Sequence, residues 1–395
     1  MKDGKRPQTR IVHAGSDPAR QRGAVNTPVT RASTVIFPTV AAMRDGIENR
    51  FDTVFYGRHG TPSSFALEEA VADLEGGYRS VSAPSGLAAV TLSLMSFLDA
   101  GDHLLMVDNA YDPSRRVCER FLKDYGIETT FYDPLIGAGI SQLMQDNTKV
   151  VFLESPGSLT FEVQDIPAIA AAAHKGGAKV ILDNTWSAGQ FLKPFALGVD
   201  VSVQAATKYI AGHADVMLGL VTTATEEDWR TIKTRAGFLG LCASADDCYL
   251  ALRGLRTLDV RMERHFETGL ILARWFQERD EVTRVLYPAL AGDPGHAIWQ
   301  RDFTGASGLF GVILGEYPQE NVEAMLDGMQ YFAMGFSWGG FESLMIQTNP
   351  APNRSAVKWA EPGICLRVHA GQEDPEDLID DLTRGFQRLN SGERS

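Results

Sequence analysis

The sequence predicts an α/β fold in which a mostly parallel sheet is sandwiched between helices and is followed by a smaller α+β domain. Between residues 61 and 256, short apolar runs rich in Val, Ile and Leu alternate with helical segments, which is typical of strand–helix–strand units in a parallel sheet. Two of these runs, residues 178–183 and 199–206, lead into polar residues. Buried strands of this kind open at their carboxyl ends into the crevice where α/β sheets bind ligands.

The composition is that of an ordinary soluble globular protein. The 395 residues are 44% hydrophobic and 22% charged, which allows roughly two or three domains. The net charge of −13 argues against a nucleic-acid or anionic-membrane surface, so an anionic ligand must be bound by local groups. No apolar run approaches the ~18 residues of a membrane span, and residues 1–6 precede no apolar core. We therefore expect neither a membrane segment nor a secretory signal. The four cysteines show no CxxC pair or zinc-ligand spacing and favour a reduced, cytoplasmic setting.

Residues 1–60 are predicted to form an extended arm. Pro28 and Pro38 interrupt regular elements in this segment, and its apolar periodicity is poor. An arm of this length is seldom stable alone, so we expect it to lie on the surface of a neighbouring subunit. Near its end is the motif Tyr56-Gly57-Arg58, in which Arg58 is either an exposed loop residue or a cation that contacts a ligand.

The α/β domain, residues 61–256, begins with a helix that Gly76 ends. A short strand, residues 79–84, leads into Ser85 and Gly86, which open a second helix. A glycine at such a turn lets the backbone approach a ligand, and the free N–H groups of the helix attract a phosphate. A Ser-Gly pair before a helix is common, so this motif gains meaning only from the residues around it.

The alternation of strands and helices continues along this domain. Further predicted strands are residues 103–108, 149–154, 178–183, 199–206 and 217–224, and residues 113–125 are predicted to be helical. Tyr111 falls just past the end of a strand. A flat aromatic ring at this position either stacks on a ligand or packs as an ordinary core or rim residue.

The C-terminal domain, residues 257–395, is predicted to be the smaller α+β unit. A long helix over residues 246–278 connects the two domains, since its apolar positions recur with helical spacing. Predicted strands follow at residues 308–314 and 363–368, and residues 375–389 form a closing helix. Arg367 is unusual inside an apolar strand. It must meet either an internal carboxylate or an anionic ligand, because an unpaired buried arginine is costly.

Asp183 and Lys208 stand at the ends of two predicted strands. Taken singly, a lysine after a strand is usually solvated, and an aspartate there is more often a helix N-cap. Neighbouring strands, however, place both side chains in one crevice. An amine and a carboxylate together fit pyridoxal phosphate. The lysine forms a Schiff base with the aldehyde, and the carboxylate keeps the ring nitrogen protonated so that the ring works as an electron sink.

Several motifs together resemble the pyridoxal-phosphate-dependent enzymes of cysteine and methionine metabolism. They are Tyr56-Gly57-Arg58, Asp183-Asn184-Thr185-Trp186, Gln204-Ala205-Ala206-Thr207-Lys208-Tyr209, Gly212-His213 and Ser337-Trp338-Gly339-Gly340-Phe341-Glu342-Ser343-Leu344. The resemblance covers nearly the whole chain and implies the type I fold of these transferase-like enzymes. The segment Glu154-Ser155-Pro156-Gly157-Ser158 and the tryptophan after Ser337 favour members that cleave at Cβ, since those acting at Cγ generally carry a smaller residue there.

The resemblance implies the residues that hold the cofactor. Lys208 would bind its aldehyde and act as the catalytic base, Asp183 would contact the ring nitrogen, and Tyr111 would stack on the ring and take part in catalysis. The implied phosphate ligands are Gly86, Leu87 and Thr207 from one subunit, with Tyr56 and Arg58 from the neighbouring subunit. Many family members have Ser where this chain has Ala205, so one phosphate hydrogen bond is missing. Members that cleave at Cβ share this alanine.

The resemblance also implies a substrate and an activity. Arg367 would bind the α-carboxylate of a small sulfur amino acid, and Ser337, Trp338 and Tyr56 would shape the pocket. The implied reaction is cleavage of the Cβ–S bond of L-cystathionine to give homocysteine, pyruvate and ammonia, in a homotetramer built from dimers with shared active sites. A broader lyase of cysteine S-conjugates or cystine, and a γ-lyase or γ-synthase of the same family, remain as alternatives. No metal is expected, because the eight histidines are scattered and form no HExxH pair.

Overall fold

A seven-stranded sheet forms the centre of the structure, a computed structural model that describes residues 6–392. Its strands are β1 (Arg79–Ala83), β2 (His103–Val107), β3 (Glu128–Tyr132), β4 (Thr148–Glu154), β5 (Lys179–Asp183), β6 (Val201–Ala205) and β7 (Gly219–Thr223). They are arranged in the order β1-β7-β6-β5-β4-β2-β3. The five strands β2 to β6 are parallel to one another, and β7 is antiparallel to both of its neighbours, β1 and β6. The predicted α/β fold with a mostly parallel sheet is confirmed.

Helices cover both faces of this sheet, which explains why its strands are continuous apolar runs. Every position of β2 and of β7 is buried, as expected for strands with a helical layer on each side. The helices that precede the first strand, connect the strands or follow the last one are α3 (Pro62–Glu75), α4 (Gly86–Phe97), α5 (Asp112–Arg116), α6 (Ile166–Lys175), α7 (Glu226–Leu239) and α8 (Ala245–Leu255). Helix α5 continues directly into a π-helical segment, Val117–Leu122. Within residues 6–392, no helix combines the length and apolar character needed to cross a bilayer.

The single helix predicted over residues 246–278 is in fact two helices. Helix α8 ends at Leu255, and α9 (Leu258–Gln277) begins after Thr257. The Arg261 guanidinium lies at the break and donates to the carbonyl oxygens of Gly254 and Tyr209, at 2.8 and 2.7 Å. The prediction was wrong because the apolar periodicity persists across a turn that this long-range contact stabilises.

A second sheet has four antiparallel strands. They are β8 (Val282–Leu286), β9 (Leu309–Leu314), β10 (Leu344–Thr348) and β11 (Ile364–His369), in the order β10-β11-β9-β8. The associated helices are α9, α10 (His296–Asp302), α11 (Gln319–Asp327) and α12 (Pro375–Ser391). Helix α9 packs on β8, β9 and α12, and α12 packs on α11. This arrangement is α+β, as predicted, although the boundaries at residues 60 and 256 remain predictions.

Residues 6–60 are not uniformly extended. They contain α1 (Pro7–His13) and α2 (Val40–Glu48). Arg256, at the junction of α8 and α9, donates to the carbonyl oxygen of Ala14 at 2.6 Å, so the start of the segment is bound to its own chain. Contact of this segment with a neighbouring subunit stays a prediction. Residues 1–5, which the predicted arm includes, lie outside the described residues.

Asp108, just past the end of β2, joins the two sheets. Its fully buried carboxylate accepts hydrogen bonds from Arg115 and Arg354, at 3.0 and 3.1 Å. Arg354 belongs to the loop between β10 and β11, and the N–H groups of Ser355 and Val357 in that loop donate to the same carboxylate at 2.9 and 3.0 Å. Burial alone would raise the pKa of Asp108, but these hydrogen bonds hold it below its ordinary value. The carboxylate therefore stays ionised between two arginines.

Replacing Asp108 by Ala tests this junction. Removing one partner of a buried ion pair costs about 3–5 kcal/mol, so we expect Asp108→Ala to lower the free energy of unfolding by that amount. The matched control is Asp246→Ala, since Asp246 and its partner Arg31 have side chains that are 44% and 74% exposed. An exposed pair contributes about 0–1 kcal/mol. Urea unfolding at a fixed protein concentration measures both changes, and equal losses would contradict this account.

Candidate active site

Asp183 and Lys208 lie at the same edge of the large sheet. Asp183 is the last residue of β5, and Lys208 follows the end of β6 by three positions. The two strands are parallel neighbours, with Asp183 opposite Val203. The backbone N–H of Lys208 donates to the carbonyl oxygen of Ala205 at 3.0 Å, which turns the chain at the strand end. Each of the two charged side chains shifts the pKa of the other, so they face a common region.

Thr185 fixes the Asp183 carboxylate. Oδ1 of Asp183 accepts from the Thr185 N–H at 3.0 Å and from the Thr185 hydroxyl at 2.6 Å. The same hydroxyl oxygen accepts from the N–H of Ala205 on β6 at 2.9 Å, so Thr185 bridges the two strand ends. Burial raises the pKa of Asp183, although Thr185 and Lys208 act in the opposite direction. A buried carboxylate of this kind is stabilised when a cation lies beside it.

The Lys208 amine faces a loop that precedes β10. Its Nζ donates to Oγ of Ser337 at 2.8 Å and lies 5.1 Å from the centroid of the Trp338 ring. Burial lowers the pKa of Lys208 to about 8, with Arg367 adding to the shift and Asp183 opposing it. A neutral amine is therefore accessible near neutral pH, as nucleophilic and general-base chemistry require.

Tyr111 lies beyond the end of β2 and is tied to Glu154, the last residue of β4. The Tyr111 N–H donates to Oε2 of Glu154 at 2.7 Å. Burial and the nearby Glu154 carboxylate raise the pKa of Tyr111, whereas Arg367 lowers it. The phenol is therefore protonated at neutral pH, and 47% of the residue is exposed, which leaves its ring free to contact a ligand.

Arg367 projects from β11. Its Nη2 donates to the carbonyl oxygens of Gly335 and Ser337, at 3.1 and 2.9 Å. Within the described part of the chain it forms no ion pair with a carboxylate, so the internal salt bridge considered from the sequence does not account for it. Burial lowers the pKa of Arg367. The remaining N–H groups of its guanidinium are those with which arginine binds a carboxylate.

The first turn of α4 presents free backbone N–H groups. Ser85 caps the helix, and its hydroxyl accepts from the Ala88 N–H at 3.1 Å. Gly86 lies so close to Ala205 that a Cβ on Gly86 would be 2.6 Å from the Ala205 Cβ, so only glycine fits here. The N–H groups of Gly86 and Leu87 have no acceptor within the helix. They are suited to bind an anion beside the end of β6.

Three further predicted cofactor ligands, Thr207, Tyr56 and Arg58, make other contacts within the single chain. The Thr207 hydroxyl is bonded to the backbone of Leu218, accepting from its N–H at 3.0 Å and donating to its carbonyl at 3.2 Å. Tyr56 and Arg58 line another cavity of about 390 Å³, and Arg58 donates to the carbonyl of Gly237 at 2.6 Å. Within residues 6–392 of one chain, no described contact joins Tyr56 or Arg58 to Lys208.

Thr185 and Glu154 adjoin the site but were not among the predicted site residues. A threonine two positions after an aspartate is suited to a local side-chain hydrogen bond, which was the available sequence indication for Thr185. Glu154 pairs with Asp183 across β4 and β5. Burial and the Asp183 charge raise the pKa of Glu154 well above its ordinary value. Its place at the carboxyl end of a predicted strand could have identified it.

This arrangement fits pyridoxal phosphate. The close approach of Gly86 to Ala205 brings the free N–H groups of the α4 terminus beside the end of β6, where they can bind a phosphate. A protonated ring nitrogen beside Asp183 would offset the burial that raises the pKa of this carboxyl group. The lysine amine lies at the neighbouring strand end, within the same crevice. Within the described residues, no group of three or more His, Cys, Asp or Glu side chains could hold a metal ion. Fold and site together are those expected of an α/β enzyme that uses pyridoxal phosphate.

The chain belongs to the Cys/Met metabolism PLP-dependent enzyme family, whose model matches residues 8–387. It is 44% identical to cystathionine β-lyase from Escherichia coli (strain K12), over 98% of this chain and 99% of that protein. The identity and coverage are the same for cystathionine β-lyase from Salmonella typhimurium. The fold is similar to cystathionine γ-synthase from Xanthomonas oryzae pv. oryzae in complex with aminoacrylate and cysteine, with a TM-score of 0.90, 32% identity and coverage of 98% and 100%. The expected family and cofactor are confirmed.

The lowered pKa of Lys208 predicts how cofactor attachment depends on pH. Only a neutral amine attacks an aldehyde, and this form prevails above the pKa of about 8. The rate at which apoenzyme binds pyridoxal phosphate covalently should rise about tenfold per pH unit below that value and level off above it. In Asp183→Asn the midpoint should fall, because Asp183 raises the pKa of Lys208. Stopped-flow absorbance measures the rate, with Lys208→Ala as the control that lacks the covalent phase. A rate independent of pH between 6 and 9 would contradict the shift.

Proposed function

We propose that this chain is a carbon–sulfur β-lyase that cleaves L-cystathionine to homocysteine, pyruvate and ammonia. The observation that carries the proposal is the position of Trp338, whose ring lies 5.1 Å from Lys208 Nζ and 5.4 Å from the Tyr209 ring. Cleavage at Cγ requires the amine to remove a second proton, from Cβ. An indole packed against the amine restricts its movement and favours removal of the Cα proton alone. The two relatives at 44% identity are cystathionine β-lyases, in agreement with this assignment.

Arg367 binds the α-carboxylate of the substrate in this proposal. Hydrogen bonds to two backbone carbonyls orient its guanidinium. The other N–H groups form the planar fork that matches a carboxylate. Ser337 and Trp338 line the pocket beside the reacting carbon. The apolar indole suits the methylene and thioether groups of cystathionine. Tyr56 completes the pocket from the neighbouring subunit.

Lys208 and Asp183 carry out the chemistry in this proposal. Bound at Lys208, pyridoxal phosphate supplies an electron sink for the electron pair left at Cα when its proton is removed. Asp183 keeps the proton on the ring nitrogen. The neutral amine of Lys208 would remove the Cα proton of the substrate. The Cβ–S bond then breaks, and the homocysteine thiolate takes a proton from Lys208 or from the protonated phenol of Tyr111. One water is consumed in releasing the remaining three carbons as pyruvate and the nitrogen as ammonia.

The phosphate is held by local donors despite the net charge of −13. We assign the N–H groups of Gly86 and Leu87 to it, together with Thr207, whose hydroxyl can exchange the 3.2 Å bond to Leu218 for one to the phosphate. Tyr56 and Arg58 of the neighbouring subunit complete the set. Charge-assisted hydrogen bonds contribute about 1.5–3 kcal/mol each, and a helix terminus adds about 0.3–1 kcal/mol.

We further propose a homotetramer built from dimers that share active sites, in which residues 1–60 contact the neighbouring subunit. The placement of Tyr56 and Arg58 away from Lys208 of their own chain supports shared sites. Residues 61–256 and 257–395 are assigned as the cofactor-binding and C-terminal domains. A reduced, cytoplasmic setting agrees with four free cysteines, of which Cys118, Cys248 and Cys365 are buried.

The products released from cystathionine distinguish the proposal from its alternatives. We expect pyruvate with homocysteine, since Lys208 acts at Cα, whereas a γ-lyase gives 2-oxobutyrate with cysteine. Product analysis with purified enzyme measures this. Lys208→Ala should lower turnover by about 10⁴-fold or more, because both the covalent attachment and the base are removed. Wild-type turnover in that variant would exclude the mechanism. Higher kcat/KM for cystine or other cysteine conjugates than for cystathionine would favour the broader lyase.

Mixing two inactive variants tests whether active sites are shared. Lys208→Ala removes a group that we assign to one chain of a site, and Arg58→Ala removes a group assigned to the other. In a hybrid dimer one site receives both changes and the other receives neither. Random exchange of equal amounts should therefore restore about a quarter of wild-type activity, measured as pyruvate release. No recovery, in a mixture shown by mass spectrometry to contain hybrids, would place Arg58 outside a shared site.

A further inference from the structure

Strand β11 presents two side chains to one loop. Arg367 and His369 are two residues apart, so they lie on the same face of the strand. Arg367 donates to the carbonyls of Gly335 and Ser337. His369 Nε2 lies 3.1 Å from the backbone nitrogen of Gly339 and 3.2 Å from the carbonyl oxygen of Gly340. The loop of residues 335–340, which we call the site loop, is therefore bound along its length by one strand.

The site loop is packed tightly against the backbone of Lys208. Gly339 has a φ of +86°, and a Cβ there would be 2.9 Å from the Tyr209 nitrogen and 3.0 Å from the Lys208 carbonyl carbon. Ser337 has a φ of 75°, a conformation that a residue with a side chain adopts only when its surroundings fix it. Its hydroxyl accepts from Lys208 Nζ at 2.8 Å. The position of Ser337 relative to the amine therefore depends on how the loop is anchored.

His369 is itself packed against the rings of His265 and Tyr209. It is fully buried, and its ring centroid lies 5.3 Å from that of His265 and 5.8 Å from that of Tyr209. His265 Nδ1 is 2.8 Å from the carbonyl oxygen of Ala370, which only accepts, so that nitrogen carries the proton. Burial lowers the pKa of His369 well below its ordinary value, and its ring is neutral. In either neutral tautomer, Nε2 binds the site loop, by accepting from Gly339 or by donating to Gly340.

We infer that His369 is a positioning residue that fixes the site loop, so that the Ser337 hydroxyl and the Trp338 ring stay against the Lys208 amine. The described hydrogen bonds of its side chain reach the loop backbone alone. Its effect on the reaction is therefore exerted through Ser337 and Trp338. The inference deepens the proposed function and rests on the role of Lys208 given there. In this view β11 supplies both the group that binds the substrate carboxylate and the group that sets the surroundings of the base.

Two substitutions of His369 separate positioning from general stability. In His369→Gln the amide reaches about as far as Nε2 and can bind Gly339 or Gly340, whereas in His369→Asn it is one bond too short. The matched control is His103→Asn. His103 is equally buried and is bonded through both ring nitrogens, at 2.8 Å to Thr148 and 2.9 Å to Thr130. It lies at the opposite, amino-terminal end of β2.

The wild type and the three variants are compared as holoenzymes. The measurements are the absorbance spectrum of the lysine-bound cofactor and the pH at the midpoint of its titration, kcat and KM for cystathionine, and urea unfolding. We expect His369→Asn to shift the midpoint and to lower kcat/KM by about a hundredfold, the effect of a misplacement of about 1 Å. His369→Gln should keep the wild-type midpoint and most of kcat/KM. His103→Asn should lose stability and keep both.

The inference is overturned if His369→Asn keeps the wild-type midpoint and kcat/KM, if the Gln and Asn variants are equally impaired, or if His103→Asn shifts the midpoint as much. Should His369→Asn fail to fold, a crystal structure of His369→Gln decides. The inference is contradicted if the glutamine side chain binds neither Gly339 nor Gly340 while the midpoint and kcat/KM are those of the wild type. A bonded glutamine with Ser337 within hydrogen-bond distance of Lys208 supports it. The spectrum needs no substrate, so products other than pyruvate and homocysteine from the wild type would reject the proposed function and leave this comparison intact.

Discussion

The pairing of β5 with β6 is the constraint on which the site depends. A shift of one residue would send alternate side chains to the opposite face, and Asp183 would no longer share a crevice with Lys208. Two polar contacts fix this register. Thr185 bridges Asp183 and Ala205 at the strand ends. Deeper in the sheet, the buried Glu75 of α3 accepts from Asn184, Ser202 and Gln204, at 3.1, 2.6 and 2.9 Å. One carboxylate oxygen, Oε1 of Glu75, thereby ties together the segments that carry the reactive pair.

The electrostatics of the site follow from burying several ionisable groups in a small volume. Burial lowers the pKa values of Lys208 and Arg367 and raises those of Asp183 and Glu154. In all four groups burial therefore favours the uncharged form. Adjacent buried carboxylates do not both ionise readily, and the Tyr111 N–H donates to Glu154 rather than to Asp183. In the proposed site, a protonated ring nitrogen would pair with Asp183, the carboxylate that Thr185 already orients. In the proposed site, the ring nitrogen would add to Lys208 as a cation beside Asp183, and the substrate carboxylate would pair with Arg367, which forms no ion pair within the described residues.

Local sequence patterns predicted the central features of the fold and of the site. Continuous apolar runs identified the buried strands, and polar residues at their ends identified Asp183 and Lys208, since both depend on the period of a strand and on the topology of a parallel sheet. Features set by contacts between distant residues could not be predicted in this way. The break between α8 and α9 depends on Arg261 reaching Tyr209, and the conformation of Ser337 depends on residues of β11. Thr207 lies in a family motif, yet its hydroxyl bonds to Leu218, an arrangement that no local pattern indicates. His369 could have been suspected, because it lies on the same strand face as Arg367.

The site is divided between the two sheets, which gives their junction a chemical role. The large sheet carries Lys208, Asp183 and Tyr111, whereas Arg367 and the site loop belong to the smaller sheet and its connections. In the proposed function, one substrate would therefore be bound at its carboxylate by a residue of one sheet and lose its Cα proton to a residue of the other. A rotation between the sheets would change the distance between these points, and a misplacement of about 1 Å is enough to lower a rate about a hundredfold. A junction built on the buried Asp108, with two arginines and two backbone N–H groups bonded to it, is suited to hold that distance constant. Asp108 lies three residues before Tyr111, so the contacts that join the sheets also hold the backbone that leads to the ring expected to lie over the cofactor.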